Sequence, residues 1–262
     1  MLRKSLAFYA AIMLSTAALA QDGGLRRMDT GDQTRGWEGV GRIEIAGRGF
    51  CTGALIAPDL VLTAAHCLFD KATGRRFSAD QMEFRAGWRN GRAEAYRRIR
   101  RAVTHPEFEH DQRAVTARVR HDLALLQLYH PVRNTTVHPF ATAGRLRAGE
   151  RVGVVSYARD RAEAPSFQEM CRVLSRQQGV YVMSCSVDFG SSGAPVFRVT
   201  DGVAEIVSVV TAKAEVDGQP VSLGAGLDGP LEQLRAAFGV DTVLQVTPQA
   251  ARQSTGAKFV RP

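Results

Sequence analysis

Short apolar runs separated by turn residues occupy the chain from Val40 onward. Residues 40–46 alternate apolar and polar side chains, and the runs 53–56 and 60–64 flank Ala57-Pro58-Asp59, where proline favours a turn. Further runs of this kind occupy residues 82–88, 96–103, 123–129, 151–157, 180–185, 194–199, 204–211 and 221–227. Many short strands at this spacing predict an all-β fold, either a barrel or a sandwich.

One helix is predicted near the C-terminus. Pro230 occupies a favourable first helical position, and Leu231, Leu234 and Phe238 follow at helical spacing. Gly239 is expected to end this helix, and residues 239–262 are expected to form a tail. Residues 134–150 contain proline and glycine with little periodic pattern, so they are the expected link between two β units.

Residues 1–20 have the features of an export signal. Arg3 and Lys4 precede an apolar run over residues 6–19, and Ala18-Leu19-Ala20 forms a cleavage site. Because the run is shorter than the roughly 20 apolar residues that span a bilayer, we expect cleavage before Gln21 and no membrane anchor. The predicted location is secreted or periplasmic. The polar residues 21–35 are expected to form a loose leader or propeptide.

Basic residues outnumber acidic ones, with 34 Lys and Arg against 26 Asp and Glu and a formal net charge of +8. The densest basic run is Arg97-Arg98-Ile99-Arg100-Arg101. Such a run can attract nucleic acid or another anionic surface, but no aromatic or glycine pattern of a nucleic-acid module accompanies it. We therefore expect a solvated strand face and no nucleic-acid partner.

Four cysteines, Cys51, Cys67, Cys171 and Cys185, lie beyond the signal. An even number of cysteines in an exported protein favours disulfides over metal ligation. Spacing alone leaves all three pairings of four cysteines open. No CxxC pair is present, so the sequence gives no indication of a zinc site and we expect no metal.

Three segments carry candidate chemistry: Thr63-Ala64-Ala65-His66-Cys67, His121-Asp122-Leu123-Ala124-Leu125-Leu126 and Gly190-Ser191-Ser192-Gly193-Ala194-Pro195. Peptide hydrolysis by a serine hydroxyl requires a base that accepts its proton and a carboxylate that orients the base. It also requires N–H donors for the developing oxyanion. His66, Asp122 and Ser192 are the candidates for base, orienting carboxylate and nucleophile.

Each candidate also has an ordinary structural interpretation. A histidine at the end of a strand can be a hydrogen-bonded core group, an aspartate before a strand is a common turn residue, and Gly-Ser is a common turn. His121 competes with His66 as the base, although a residue beside Asp122 in a strand points to the opposite face. Ser191 competes with Ser192 as the nucleophile.

In this order, the three segments resemble the catalytic blocks of the chymotrypsin/trypsin-like serine peptidases. The pattern G-x-S-G-x-P, with a neutral residue before Ser192, is most similar to the bacterial glutamyl-endopeptidase-type branch. The resemblance implies a serine endopeptidase with a triad of His66, Asp122 and Ser192, and an oxyanion hole formed by the N–H groups of Gly190 and Ser192. It also implies a disulfide between Cys51 and Cys67 beside the histidine.

The same resemblance implies a fold of two packed antiparallel β-barrels with a short C-terminal helix. Residues 36–140 would form the barrel that carries the histidine and the aspartate. Residues 141–238 would form the barrel that carries the serine, together with the helix. We expect a monomer that acts on protein or peptide substrates and needs no metal or organic cofactor.

Several positions depart from the family pattern. Ser191 replaces the aspartate that pairs with a newly cut N-terminus in the animal digestive enzymes, so that ion pair cannot form here. By resemblance, Ser186 is a neutral residue at the base of the primary specificity pocket, and Asp188 lies close to it. Ser208 is matched to the serine that supports the aspartate and begins the substrate-binding edge.

Two further departures concern the strand after the nucleophile. Val207 stands where glutamate-specific relatives carry a histidine, and Val209-Val210 replaces the usual Trp-Gly. The departures leave cleavage specificity undefined and keep two alternative functions open. One is a catalytically silent homologue that acts as a binding protein, and the other is a basic protein that binds anionic polymers through residues 97–101.

Overall fold

The computed structural model describes residues 24–111 and 115–245. The export signal predicted over residues 1–20 lies outside these residues. Within the described part of the chain, no helix is both long enough and apolar enough to cross a membrane.

The segment around Met28 is packed against the fold, and the prediction that it is loose is wrong for the described residues. Strand β1 (Arg26–Arg27) pairs with one strand of the second barrel, and the Met28 side chain is fully buried. Helix α1 (Gly31–Thr34) begins at a capping box between Thr30 and Gln33. One apolar anchor and one helix cap therefore order a segment whose composition is polar.

The first barrel consists of antiparallel strands with alternating inward side chains. Its strands are β2 (Val40–Ile45), β3 (Gly49–Ala57), β4 (Leu60–Thr63), β5 (Met82–Ala86), β6 (Ala95–Thr104) and β7 (Ala124–Leu128). They follow the order β2-β3-β4-β7-β6-β5, and pairing of β5 with β2 closes the ring. Closure removes free strand edges from this barrel.

The second barrel is built in the same way from strands later in the chain. After a short strand β8 (Ala141–Thr142), they are β9 (Arg151–Ser156), β10 (Ser166–Gln177), β11 (Val180–Met183), β12 (Pro195–Thr200), β13 (Val203–Val216) and β14 (Gln219–Gly226). The order is β9-β10-β11-β14-β13-β12, and β12 pairs with β9 to close the ring. Strand β1 extends it beside β10, and β8 runs parallel to β13.

Helices make up little of the described chain. Helix α2 (Val115–Arg120) precedes β7, and helix α3 (Pro230–Gln245) packs Leu231 and Leu234 into the core. The helix starts at Pro230 as predicted, but it continues through Gly239 to Gln245, so the predicted stop is wrong. A glycine inside a helix costs only about 1 kcal/mol relative to alanine. This cost was too small to end helix α3 at Gly239.

An aromatic cluster joins the two barrels. The Trp37 ring lies 4.8 Å from Phe167 of β10 and 4.9 Å from Phe197 of β12, and Phe140 lies 4.8 Å from Phe197, all between ring centroids. Aromatic pairs at such distances bury large apolar areas. The prediction of an all-β fold with two packed antiparallel barrels and a short C-terminal helix is confirmed.

Candidate active site

His66 and Asp122 are held together by two hydrogen bonds. His66 lies in a 3₁₀ turn (Ala65–Leu68) that follows β4, and Asp122 lies between α2 and β7. The His66 backbone N–H donates to Asp122 Oδ1 at 2.8 Å, and His66 Nδ1 lies 2.6 Å from Asp122 Oδ2. Since an ionised carboxylate only accepts hydrogen bonds, Nδ1 carries the proton and Nε2 is left as the basic nitrogen.

The Asp122 carboxylate is buried, with 5% of its side chain exposed, whereas 20% of the His66 side chain is exposed. Both Asp122 oxygens are used by His66, which fixes the position of the turn as well as the tilt of the ring. The pair therefore presents one imidazole edge toward the cleft between the barrels.

His121, the alternative base, is directed away from this pair. Its ring stacks on His105 with centroids 4.7 Å apart, and its Nε2 lies 3.5 Å from Glu107 Oε2. His121 does not line the cleft that contains His66 and Ser192. Asp122 thus contacts His66 in the cleft, whereas the adjacent His121 contacts His105 and Glu107 outside it.

Ser192 lies in the loop between β11 and β12, and it lines the same cleft as His66. Gly190 and Gly193 on either side have φ of +100° and +80°. Residues other than glycine rarely adopt such positive φ angles. A Cβ atom at Gly193 would lie 2.1 Å from Thr63 Oγ1. Glycine is therefore required at Gly193 by both the backbone angle and the space.

Ser191, the alternative nucleophile, is fully buried. Its hydroxyl donates to Ser156 Oγ at 3.3 Å or to the carbonyl oxygen of Tyr157 at 3.4 Å. The group at this position is neutral and its partners are neutral. Of the two neighbouring serines, only Ser192 lines the cleft.

Thr52 of β3 is a site residue that the sequence analysis missed. Its buried hydroxyl donates to the Gly190 carbonyl at 2.8 Å and accepts from the Tyr157 N–H at 3.1 Å. Its N–H donates to the Ser192 carbonyl at 2.8 Å, and its own carbonyl accepts from the Thr63 hydroxyl. A hydroxyl within a strand of small and apolar residues, directly after Cys51, was the signal available in the sequence.

Two disulfides are present, and all four cysteines take part in them. Cys51–Cys67 joins β3 to the turn that carries His66, and Cys171–Cys185 joins β10 to the segment after β11. The structure thus selects one of the three pairings that spacing left open, and it contains the pair implied by the family resemblance.

Among the residues that the structure describes, two groups of side chains come close enough to suggest metal ligation. In the first, His66 lies beside Cys51 and Cys67, but those sulfurs form a disulfide. In the second, His105 lies beside Glu107 and His121, yet both His105 ring nitrogens are engaged, with Gln233 Oε1 and the Glu107 N–H. Neither group has the free ligand set that a metal ion needs.

The cleft has two parts that share His66, Lys71, Phe189 and Ser192. The smaller part, of about 150 Å³, is lined by residues 187–189 and 210–213, and the larger part, of about 390 Å³, by the Cys51–Cys67 disulfide and Phe50. The smaller part contains Asp188, which the family resemblance places close to the primary specificity pocket. The larger part does not contain Asp188.

Asp188 lines the smaller part, but its charge is already engaged. Lys213 Nζ lies 3.0 Å from Asp188 Oδ1, and the Phe189 N–H donates to the same oxygen at 2.8 Å. The bond from Lys213 holds the pKa of the Asp188 carboxyl below its usual value. Lys213 therefore offsets the Asp188 charge, which could otherwise attract a basic substrate side chain.

Ser186 and Ser208 are not among the residues that line either part of the cleft. Ser186 is exposed, and its N–H donates to Gln168 Oε1 at 2.7 Å. Ser208 is buried, and its hydroxyl donates to the Ala225 carbonyl at 2.7 Å. The stretch of β13 that reaches the cleft is residues 210–213.

Comparison with known proteins adds family and fold information. A family model of the trypsin-like peptidase domain matches residues 51–204. A modular serine protease of Drosophila melanogaster is 37% identical over 83 residues, which are 31% of this chain and 13% of that protein. The chain therefore spans a small part of the length of this curated relative.

Among solved structures, a Glu endopeptidase in complex with MPD is similar, with a TM-score of 0.68 and 17% sequence identity. The match covers 83% of this chain and 98% of that chain. At this level of identity the match shows a shared fold and no more. It extends over both barrels.

Proposed function

Because this chain belongs to the trypsin-like peptidase domain family, we propose that it is a serine endopeptidase that acts through His66, Asp122 and Ser192. The observation that carries the proposal is the 2.6 Å contact between His66 Nδ1 and Asp122 Oδ2, in the same cleft as Ser192. This contact leaves His66 Nε2 as the basic nitrogen on the side of the substrate.

In the proposed mechanism, Ser192 Oγ attacks the substrate carbonyl carbon while His66 Nε2 accepts the hydroxyl proton. The buried Asp122 carboxylate stabilises the imidazolium that forms. His66 then gives this proton to the leaving nitrogen, the C–N bond breaks, and an ester remains on Ser192. Water repeats the sequence: it loses a proton to His66 Nε2, attacks the ester carbon, and Ser192 Oγ leaves with that proton.

The N–H groups of Gly190 and Ser192 are the proposed donors to the oxyanion. The Phe189 carbonyl, which belongs to the same peptide unit as the Gly190 N–H, accepts from the Arg159 N–H at 2.7 Å. Because C=O and N–H of a trans peptide point in opposite directions, this bond directs the Gly190 N–H away from the Arg159 N–H. Donors positioned before the reaction stabilise the developing charge without reorganisation.

The neutral Ser191 bears on whether activity requires a newly formed N-terminus. A buried neutral hydroxyl cannot form an ion pair with a newly formed N-terminal amine, and its partners here are the neutral oxygen atoms of Ser156 and Tyr157 and the N–H of Asp188. The bonds from Thr52 to Gly190 and Ser192 hold the loop instead. We therefore expect activity that does not depend on a new N-terminus.

Export is the second element of the proposal. The signal features of residues 1–20 support it, and so do two disulfides, which persist in oxidising compartments. Expression of the full chain in a host with a secretion pathway should yield a protein outside the cytoplasm that begins at Gln21. N-terminal sequencing checks this, and retention of residues 1–20 would contradict it.

Covalent labelling tests the catalytic assignment. A fluorophosphonate reacts with an activated serine, so purified residues 21–262 should be labelled, and peptide mapping should find the label at Ser192. Ser192→Ala should lose the label with its unfolding curve unchanged, whereas Ser191→Ala should still be labelled at Ser192. Absence of labelling in all three folded proteins would instead support a catalytically silent binding protein.

A further inference from the structure

Phe189 stands between the two parts of the cleft with 52% of its surface exposed. Three cationic groups surround its ring: Lys71 Nζ at 5.1 Å, Arg159 Cζ at 5.2 Å and Lys213 Nζ at 5.0 Å from the centroid. A cation over an aromatic ring is attracted to its face, but three cations around one ring also repel one another. The arrangement thus concentrates positive charge beside Ser192.

Only one of these three cations has a carboxylate partner among the residues that the structure describes. Lys213 pairs with Asp188 at 3.0 Å, whereas Lys71 and Arg159 have no carboxylate within the 4.0 Å ion-pair distance. Both line the larger part of the cleft, and Lys71 also lines the smaller part, whereas Arg159 does not. Their charges are therefore available to a ligand.

Asp70 is a carboxylate that lines the larger part, and neighbouring groups already bind it. It accepts from the N–H groups of Ala72 and Thr73 at 2.9 and 3.0 Å and pairs with Arg48 at 3.0 Å. These bonds, first of all those from the backbone, hold its pKa below the usual value. Arg48 offsets this charge, so Lys71 and Arg159 leave the larger part with an excess of positive charge.

The remaining walls of the larger part are apolar. Phe50, Phe69, Phe77 and the Cys51–Cys67 disulfide line it, so a peptide segment can bury its own apolar atoms there. We assign the smaller part, which contains Asp188, to the residue before the scissile bond. The larger part is then the place for the residues after it. An acidic side chain on that side would reach Lys71 and Arg159.

We propose that Lys71 and Arg159 make the larger part of the cleft a subsite for acidic side chains on the leaving-group side of the scissile bond. The proposal rests on the proposed peptidase function and adds a substrate class to it: peptides with Glu or Asp shortly after the cleaved bond. Lys71 and Arg159 are specificity-determining residues in this scheme, and they take no part in the bond-breaking steps.

Matched peptide pairs test the proposal. Internally quenched peptides, amidated at the C-terminus so that the side chain is the only carboxylate, carry Glu or Gln at one of the first three positions after the scissile bond. We expect kcat/KM to be about tenfold higher for Glu than for Gln at 0.05 M salt, which corresponds to about 1.4 kcal/mol. The ratio should fall toward one at 1 M salt, where screening acts over about 3 Å.

Variants assign the preference to these residues. The Lys71→Met/Arg159→Gln double variant should reduce the Glu to Gln ratio to less than twofold. Lys71→Glu should shift the preference toward peptides with Lys at the same position. Arg100→Gln, which removes an exposed arginine of β6 that does not line the cleft, should leave the ratio at its wild-type value.

Equal rates on Glu and Gln peptides, or a Glu preference that survives in the double variant, would overturn the subsite. A Glu preference that appears only before the scissile bond would place the acidic side chain in the smaller part and overturn it as well. These outcomes differ from failure of the proposed function, in which no peptide is cleaved and the fluorophosphonate does not react.

Discussion

The hydroxyl of Thr52 donates a hydrogen bond to the carbonyl oxygen of Gly190 at 2.8 Å, which joins β3 of the first barrel to the Ser192 loop of the second. Thr52 is completely buried, and its N–H also donates to the Ser192 carbonyl. The relative position of His66 and Ser192 depends on contacts between the barrels, and this one acts directly on the serine loop. Its groups are neutral, so it does not depend on pH in the neutral range.

Thr52→Val keeps the shape of the side chain and removes the hydroxyl, so it should release the Gly190 carbonyl. We expect kcat to fall about tenfold to a hundredfold with little change in KM, somewhat less than the loss of a direct oxyanion donor. Thr52→Ser should retain most of the activity. Thr34→Val, which removes another buried threonine hydroxyl in α1, should leave kcat unchanged. An unchanged kcat in Thr52→Val would show that the loop is held by other contacts.

Asp122→Asn should reduce kcat by about 10⁴-fold, because an amide neither stabilises the imidazolium nor enforces the tautomer with the proton on His66 Nδ1. The check is steady-state hydrolysis of a neutral peptide from pH 6 to 9. Asp201→Asn, a change of the same kind in an exposed turn after β12, serves as the control and should have wild-type kcat. A loss of less than tenfold in Asp122→Asn would contradict the proposed role.

The two disulfides close loops of similar length, with sequence separations of 16 and 14. Removing either one by paired Cys→Ala changes should lower the free energy of unfolding by about 3 kcal/mol according to loop-closure entropy. Only the Cys51–Cys67 pair joins the turn that carries His66, so only its removal should also lower kcat markedly. Urea denaturation measures the stability of both double variants, and peptide hydrolysis measures their kcat. Equal losses of kcat in the two variants would contradict the special role of Cys51–Cys67.

Met28 is the buried apolar anchor of the N-terminal segment. Met28→Ala should cost about 2–5 kcal/mol of unfolding free energy, as is typical of large-to-small core changes. Met170→Ala, at a side chain that is 49% exposed, should change it by less than about 0.5 kcal/mol. Urea denaturation gives both values. If a chain trimmed to begin at Trp37 were as stable as the longer chain and more active, this segment would instead be an inhibitory propeptide.

His105 and His121 form a stacked, largely buried pair. The His105 Nε2–H donates to Gln233 and Nδ1 accepts from the Glu107 N–H, an assignment of the neutral tautomer made from the hydrogen bonds. Burial lowers the pKa of both rings below 6.5, and the charge of protonated His121 lowers the pKa of His105 further. The folded protein therefore binds fewer protons than the unfolded chain just below pH 6.5.

It follows that the free energy of unfolding should decrease as the pH falls below about 6.5, by up to about 1.4 kcal/mol per pH unit for each histidine. Urea denaturation at pH 7.5 and 5.5 measures the change. His121→Asn should make it smaller, and His138→Asn, at an exposed histidine, should leave it as in the wild type. Stability that rises toward pH 5.5 would contradict the sign.

The sequence by itself determined the fold class and the three segments of the site. Alternating strands report which face of each strand is buried, and the glycines around Ser192 report a local backbone requirement. Both signals lie within a few neighbouring residues. For the same reason the start of helix α3 at Pro230 was predictable, whereas Gly239 did not mark its end.

Tertiary structure alone decided which distant residues meet. Thr52 and Gly190 are 138 positions apart, and the three cations around Phe189 come from three separate segments. The position of Ser208 was decided by a register shift between β12 and β13, where Val196 pairs with Ser208 but Phe197 pairs with Ile206. Because a shift of one residue exchanges the two faces of a strand, counting along the sequence could not show that residues 210–213 reach the cleft.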